Sequence, residues 1–162
     1  MAATLTPLER IEIRIALEDL NTAFTHYLDH NDVDSLVDLF TDDVLYTHGA
    51  RRSEGRAEVE RLFRNRAAAG PRTSRHMCSG LKLDIESRAR ASGNSVCMTF
   101  GQDGLPPLAP ALPILVADFN DVYVRCGDGR WRIRERHIER IFVDPQSSGP
   151  VGYRPGTSND AS

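Results

Sequence analysis

Residues 27–49 read YLDHNDVDSLVDLFTDDVLYTHG, and they take the chain from a helix, through a break, into a strand. The polar run DHNDVD ends the first helix. Leu36, Leu39 and Phe40 fit one face of a short second helix over about 33–40. VLYTH at 44–48 then has the composition of a strand. The stretch therefore takes the chain from helices to strands, and an order of helices first and strands afterwards indicates an α+β protein.

Upstream of this stretch the sequence predicts one long helix. Thr6 and Glu9 form a capping box around Pro7, and the helix continues to about residue 28. One apolar face recurs at helical spacing, at Ile13, Leu17, Leu20, Phe24 and Leu28. A second apolar face begins at Leu8, Ile11 and Ile15, which predicts a helix held between the core and another element.

Downstream, a third helix over about 56–67 precedes a change to period two at Gly70-Pro71. Four strands are predicted, at 74–86, 95–102, 113–126 and 130–143, the last two joined by the turn CGDG. Gly80 is a candidate bulge that bends the sheet. We therefore expect a cone-shaped, curved antiparallel sheet with three helices enclosing a pocket, in one domain over 1–143. The Pro-, Gly- and Ser-rich tail 144–162 is expected to be irregular.

The bulk composition narrows the function classes. The chain has 162 residues, of which 40% are hydrophobic and 27% charged, and a net charge of −3, which argues against nucleic acid as a partner. We expect no membrane partner, because no apolar run approaches the length of about 20 residues needed to span a bilayer. The start lacks the pattern of a signal peptide, so a cytoplasmic location is expected. Three widely spaced cysteines, Cys78, Cys97 and Cys126, predict free thiols.

The stretch TSRHMCSG, residues 73–80, places His76 at the start of a predicted strand. Histidine exchanges protons near neutral pH, and a carboxylate on its second ring nitrogen converts it into a general base. Asp29 is the candidate carboxylate. Two structural interpretations stay open. One is His76 as a hydrogen-bonded histidine without a catalytic role, and the other is Asp29 as an aspartate that ends the helix. The helical angle also turns Asp29 away from the Leu20–Phe24 face, unless the helix ends before residue 29.

Other polar residues interrupt apolar elements. His48 and Tyr46 share one strand face and are candidates to line the pocket. Asp118 interrupts an apolar strand and faces either solvent or the cavity. The arginines of RIRERHIER indicate a solvated or subunit-facing strand, in which one or two could still bind an anionic group. No metal site is expected.

The layout resembles the SnoaL-like branch of the nuclear transport factor 2-like (NTF2-like) superfamily, over about residues 8 to 143. It is most similar to the group that contains scytalone dehydratase and hexachlorocyclohexane dehydrochlorinase. The resemblance is carried by YLDHNDVDSLVDLFTDDVLYTHG, EGRAEVERLF, RHMCSGLKLDI and WRIRERHIERIF. It implies that Asp29 holds His76, which removes a proton. It also implies that Arg134, three residues after Trp131, helps a departing anion.

The sequence departs from that group at several positions. Gly80 stands where an asparagine is common. The positions of two carbonyl-polarising tyrosines hold Leu28, beside Tyr27, and His48. The position of a lysine in the first helix holds Phe24. The base therefore matches the group, whereas the electrophilic residues differ, and Tyr27 and Phe24 become candidate substrate contacts.

The expected function is a cofactor-free, dehydratase-like lyase or isomerase that removes a proton from a small, largely hydrophobic substrate. Two alternatives remain. One is a non-catalytic binding protein for a small apolar ligand, and the other is a polyketide-cyclase-like enzyme with an acid/base aspartate. The resemblance also implies a homo-oligomer, either a trimer or a dimer, formed through the sheet.

Overall fold

The chain folds into three helices and one six-stranded sheet, in a computed structural model that describes residues 4–109 and 112–145. The helices are α1 (Pro7–His30), α2 (Val33–Val37) and α3 (Arg56–Ala68). The strands are β1 (Phe40–His48), β2 (Arg51–Glu54), β3 (Arg72–Ile85), β4 (Arg90–Asp103), β5 (Leu115–Arg125) and β6 (Trp131–Val143). The α+β class and the three helices are confirmed. Most of the predicted tail lies outside the described residues.

The sheet has the strand order β2-β1-β6-β5-β4-β3, and it is mixed rather than wholly antiparallel. β3 to β6 form the predicted antiparallel meander, but β1 pairs with β6 in parallel. The antiparallel prediction was wrong at this pair because β1 and β6 are far apart in sequence, and no hairpin turn fixes their direction. β2, the polar segment RRSE, was not predicted.

Local signals explain how the elements begin, turn and bend. Thr6 and Glu9 form the predicted capping box at the start of α1. The CGDG turn closes the β5–β6 hairpin, with Gly129 at a φ of 80°. Gly80 has a φ of 69° beside a register shift in the β3–β4 pair, as expected for the predicted bulge. The curved sheet places α1 along β3, with its apolar face on the core at Ile13, Leu17, Leu20, Phe24 and Leu28.

Two apolar surfaces remain exposed. Leu8, Ile11 and Ile15 of α1 are each more than half exposed, so the prediction that a second element covers this face was wrong within the described residues. On the outer face of the sheet, one register row joins four apolar side chains across β3 to β6, namely Met77, Met98, Val116 and Phe142. No helix of the described residues is long and apolar enough to cross a membrane.

The core contains a buried ion pair. Nε and Nη2 of Arg136 donate to the two carboxylate oxygens of Asp121 at 2.8 and 2.6 Å, and both side chains are at most 1% exposed. Burial alone would lower the pKa of Arg136, but the charge of Asp121 outweighs it and raises that pKa. The guanidinium carbon lies 4.2 Å from the ring centroid of Phe24 and 4.8 Å from that of Phe119. The pair therefore fixes two aromatic rings that reach the pocket described below.

Candidate active site

Asp29 and His76 meet at the junction of α1 and β3. Nδ1 of His76 lies 2.6 Å from Oδ1 of Asp29, and the backbone N–H of His76 donates to Oδ2 at 2.8 Å. The Asp29 side chain is 5% exposed and the His76 side chain 13%. Asp29 lies inside the last turn of α1, not beyond its end. The contact is possible because α1 rests its flank, and not only its apolar face, against the edge strand β3.

The surroundings of Asp29 keep it ionised. Burial alone would raise the pKa of Asp29, but the hydrogen bonds and charge of His76, with a further bond from Ser74, hold that pKa below its ordinary value. An ionised carboxylate only accepts hydrogen bonds, so the proton lies on Nδ1 of His76. Nε2 then carries the lone pair, and no described residue hydrogen-bonds to it. This is the arrangement of a histidine general base with its orienting carboxylate.

A second layer supports the carboxylate. The Ser74 hydroxyl donates to Oδ1 of Asp29 at 2.8 Å, and Nη2 of Arg66 donates to the Ser74 oxygen at 2.9 Å. Nη1 of Arg66 donates to the backbone oxygen of Leu28 and to the side-chain oxygen of Asn31, at 3.1 and 3.0 Å. Arg66 therefore links the C-terminus of α1 to β3 and holds Asp29 in one orientation.

His76 lines a pocket between the helices and the concave face of the sheet. The pocket is small, with a cavity volume of about 70 Å³, and it opens to solvent at its mouth. Its walls are mostly apolar and aromatic, formed by Phe24, Leu28, Tyr46, Leu62, Phe63, Ile114, Leu115, Phe119 and Ile138. Polar groups reach it from His48, Arg51, Arg66, Arg72, Ser74, His76 and Thr99. An apolar cavity with a few convergent polar groups is typical of a small-molecule site.

His48, on β1, lines the same pocket as His76. Burial, together with the positive charges of Arg140 and Arg51, lowers the pKa of His48 to about 4. The ring is therefore neutral at physiological pH. Its Nε2 is buried and has no hydrogen-bond partner among the described residues. Burial also raises the pKa of the neighbouring Tyr46 to about 12, so its hydroxyl stays protonated.

Sequence comparison identifies the family. The sequence model of the SnoaL-like domain matches residues 9–137, which is most of the chain. The chain belongs to the SnoaL-like domain family. The resemblance to the SnoaL-like and NTF2-like proteins is thereby confirmed, and the family includes polyketide cyclases and dehydratase-like enzymes. No functionally curated protein matches this SnoaL-like chain.

Solved structures share the fold of this SnoaL-like chain. A provisionally named scytalone dehydratase from Novosphingobium aromaticivorans is 19% identical, with a TM-score of 0.78 over 91% of this chain and 99% of that one. ActVI-ORFA from Streptomyces coelicolor is 19% identical, with a TM-score of 0.69 over 79% and 97%. A protein from Nostoc punctiforme with a cystatin-like fold is 21% identical, with a TM-score of 0.69 over 90% and 98%.

The SnoaL-like pocket gathers some of the predicted site residues and leaves others outside. Phe24, Tyr46, His48 and His76 line it, with Asp29 behind His76. Three predicted contacts lie elsewhere. Arg134 extends from the surface and pairs with Asp43 at 3.1 Å. Asp118 lies on the outer face of β5, since the buried residues of that strand are its odd-numbered neighbours. Tyr27 packs beside His26, outside the pocket lining.

The placement of Arg134 corrects the role that the resemblance implied for it. β6 buries two consecutive residues, 132 and 133, next to a register shift in the β5–β6 pair. This irregularity changes which residues face inward, so Arg136 enters the core and Arg134 points to solvent. The arginines that do reach the pocket come from β2, α3 and β3.

Several site residues were missed from the sequence. Ser74 could have been found, because it lies two residues before His76 on the same face of a strand. Arg51, Arg66, Arg72 and Thr99 carry no sequence signal that separates them from surface residues. In residues 4–109 and 112–145, no three His, Cys, Asp or Glu side chains lie close enough to hold a metal ion. The three cysteines are free thiols, as predicted.

Proposed function

We propose that this protein is a cofactor-free enzyme of the lyase or isomerase type, in which His76 removes a proton from a carbon atom of a small, mostly hydrophobic substrate. The observation that carries the proposal is the contact between His76 and Asp29 at the wall of an apolar pocket. A structural histidine would instead meet a backbone carbonyl in a packed core.

The charges at the site support this chemistry. Asp29 stabilises the imidazolium that forms when Nε2 accepts the proton, and it orients the ring towards the cavity. Ser74 acts as a positioning residue, because its hydroxyl touches the Asp29 carboxylate rather than the reacting atoms, and Arg66 holds Ser74 in turn. A positioned general base contributes about 10²- to 10⁴-fold to the rate.

His48 supplies the second polar group of the reaction. A neutral imidazole with an unpartnered Nε2 can donate a hydrogen bond to the oxygen on which negative charge develops. It replaces the role that the resemblance implied for Arg134. The base and this donor reach the pocket from β3 and β1, so a substrate between them contacts both.

The test does not require the natural substrate. A panel of cyclic ketones is incubated with the enzyme in deuterated buffer, and NMR measures deuterium uptake at the carbon next to the carbonyl. We expect His76→Gln to slow uptake by at least about 100-fold. His137→Gln, which removes a histidine on the outer face of β6, is the matched control and retains the wild-type rate.

Equal uptake by His76→Gln and the wild type would refute the proposal, provided that circular dichroism shows both proteins folded. The alternative of a binding protein predicts a different result. In that case the wild-type pocket binds panel members with no deuterium uptake above the buffer rate.

A further inference from the structure

The inner pocket has an unbalanced charge. Its sixteen lining residues include three arginines and no aspartate or glutamate. Asp29 lies behind His76 rather than on the wall. A cavity with apolar walls and cationic groups of one sign attracts an anion, because the low dielectric environment strengthens each interaction.

Arg66 has N–H donors that no described residue accepts from. Its hydrogen-bond partners, the Leu28 carbonyl, the Asn31 side chain and the Ser74 hydroxyl, are all neutral. A guanidinium has five N–H donors. Two donors of Arg66 therefore have no partner among the described residues. Burial lowers the pKa of Arg66, and the like charge of Arg72 acts in the same direction, with Asp29 opposing both.

Arg72 and Arg51 extend the same surface. The Arg72 side chain is 18% exposed and pairs with Asp103 at 2.8 Å, at the rim of the pocket. Arg51 reaches the pocket from β2, where it lies opposite His48 in the β1–β2 register. Three elements of the fold thus bring guanidinium groups to one cavity.

We infer that these arginines form a carboxylate subsite, and that the substrate is an aromatic or alicyclic carboxylic acid. The inference rests on the proposed function, because it names the substrate class of the same pocket. The ring of the acid packs against Phe24, Phe63 and Phe119, and its carboxylate lies at Arg66. Arginine suits a planar carboxylate, since the two can form paired hydrogen bonds.

The test compares three probes that share one ring system: 2-naphthoate, 2-naphthamide and 2-naphthyl phosphate. Isothermal titration calorimetry measures the affinity of each at low ionic strength. We expect the naphthoate to bind about 10- to 100-fold more tightly than the amide, as a charge-assisted hydrogen bond implies. Arg66→Gln should remove most of this difference and leave binding of the amide within about twofold.

Arg64→Gln is the matched control. Arg64 lies on the same helix as Arg66 and pairs at the surface with Asp34 and Glu60, and its substitution removes the same charge. It should preserve the preference for naphthoate, whereas an effect of net charge alone would lower the preference equally in both variants. If Arg66→Gln fails to fold, Arg51→Gln tests the same prediction.

Three results would overturn the inference: no binding of naphthoate, equal affinity for the acid and the amide, or an equal loss in the Arg64 control. Tighter binding of the naphthyl phosphate would overturn the assignment to carboxylates. His76→Gln separates this inference from the proposed function. This variant should keep the preference for naphthoate over the amide. If the wild type shows that preference but catalyses no proton transfer, only the proposed catalytic role is refuted.

Discussion

His48 makes the stability of the folded protein depend on pH in a defined way. Burial lowers the pKa of His48 to about 4 in the folded chain, against an ordinary value of 6.5. Between pH 4 and pH 6.5, His48 is protonated in the unfolded chain and neutral in the folded chain. Acid therefore favours unfolding, and the stability present above pH 6.5 is lost as the pH falls towards 4.

The size of this effect follows from the gap between the two pKa values. At 1.36 kcal/mol per pKa unit, the gap corresponds to about 3 kcal/mol. His48→Gln removes the titrating ring and keeps a polar side chain. We expect the variant to lose about 3 kcal/mol less stability than the wild type between pH 7 and pH 4.

Urea unfolding, followed by the fluorescence of the single tryptophan Trp131, measures the free energy of unfolding at pH 7, 5.5 and 4. His26→Gln is the control, because it removes an exposed histidine of α1 and should keep the wild-type pH dependence. If the wild type and His48→Gln lose the same free energy between pH 7 and 4, the reasoning about a buried neutral ring is refuted.

Three further predictions concern other charged and apolar groups. Asp29→Asn should be less stable than the wild type at pH 7. Because folding lowers the pKa of Asp29, the stability that its carboxylate contributes is present above the ordinary pKa and is lost in acid. Urea unfolding should therefore show the two free energies of unfolding converging below about pH 4. Asp121→Ala strands the buried Arg136 charge and should cost about 3–5 kcal/mol, a fall in Tm of about 6–20 °C by calorimetry, and a cost under about 1 kcal/mol would contradict this. If the outer face of the sheet joins subunits, Phe142→Glu should convert an oligomer into a monomer by light scattering, whereas an unchanged mass would place the interface elsewhere.

The secondary structure was largely predictable, because its signals are local. The capping box at Thr6, the helical spacing of the α1 core residues and the CGDG turn each act within a few residues. The direction of β1 against β6 was not predictable in this way. It depends on how the β1–β2 hairpin packs against β6, and no turn joins β1 directly to β6.

The candidate site, too, was predictable in part from the sequence and depended in part on tertiary packing. The residue types of His76 and Asp29, together with the family resemblance, suggested a dyad from the sequence. The helical angle argued against the dyad, because it turns Asp29 away from the apolar face of α1. That angle describes one helix alone and says nothing about the element that packs beside its flank. Only the packing of α1 along the edge strand β3 brings the two side chains within 2.6 Å.

The arginines show most clearly what sequence leaves undecided. Arg134 and Arg136 lie two residues apart in the sequence, yet one is exposed and the other is fully buried. The sequence by itself determined the helices, the long strands, and a histidine and an aspartate suited to proton transfer. Tertiary structure alone decided which arginines reach the pocket, since a side chain's direction in a strand depends on register, and a single bulge changes it.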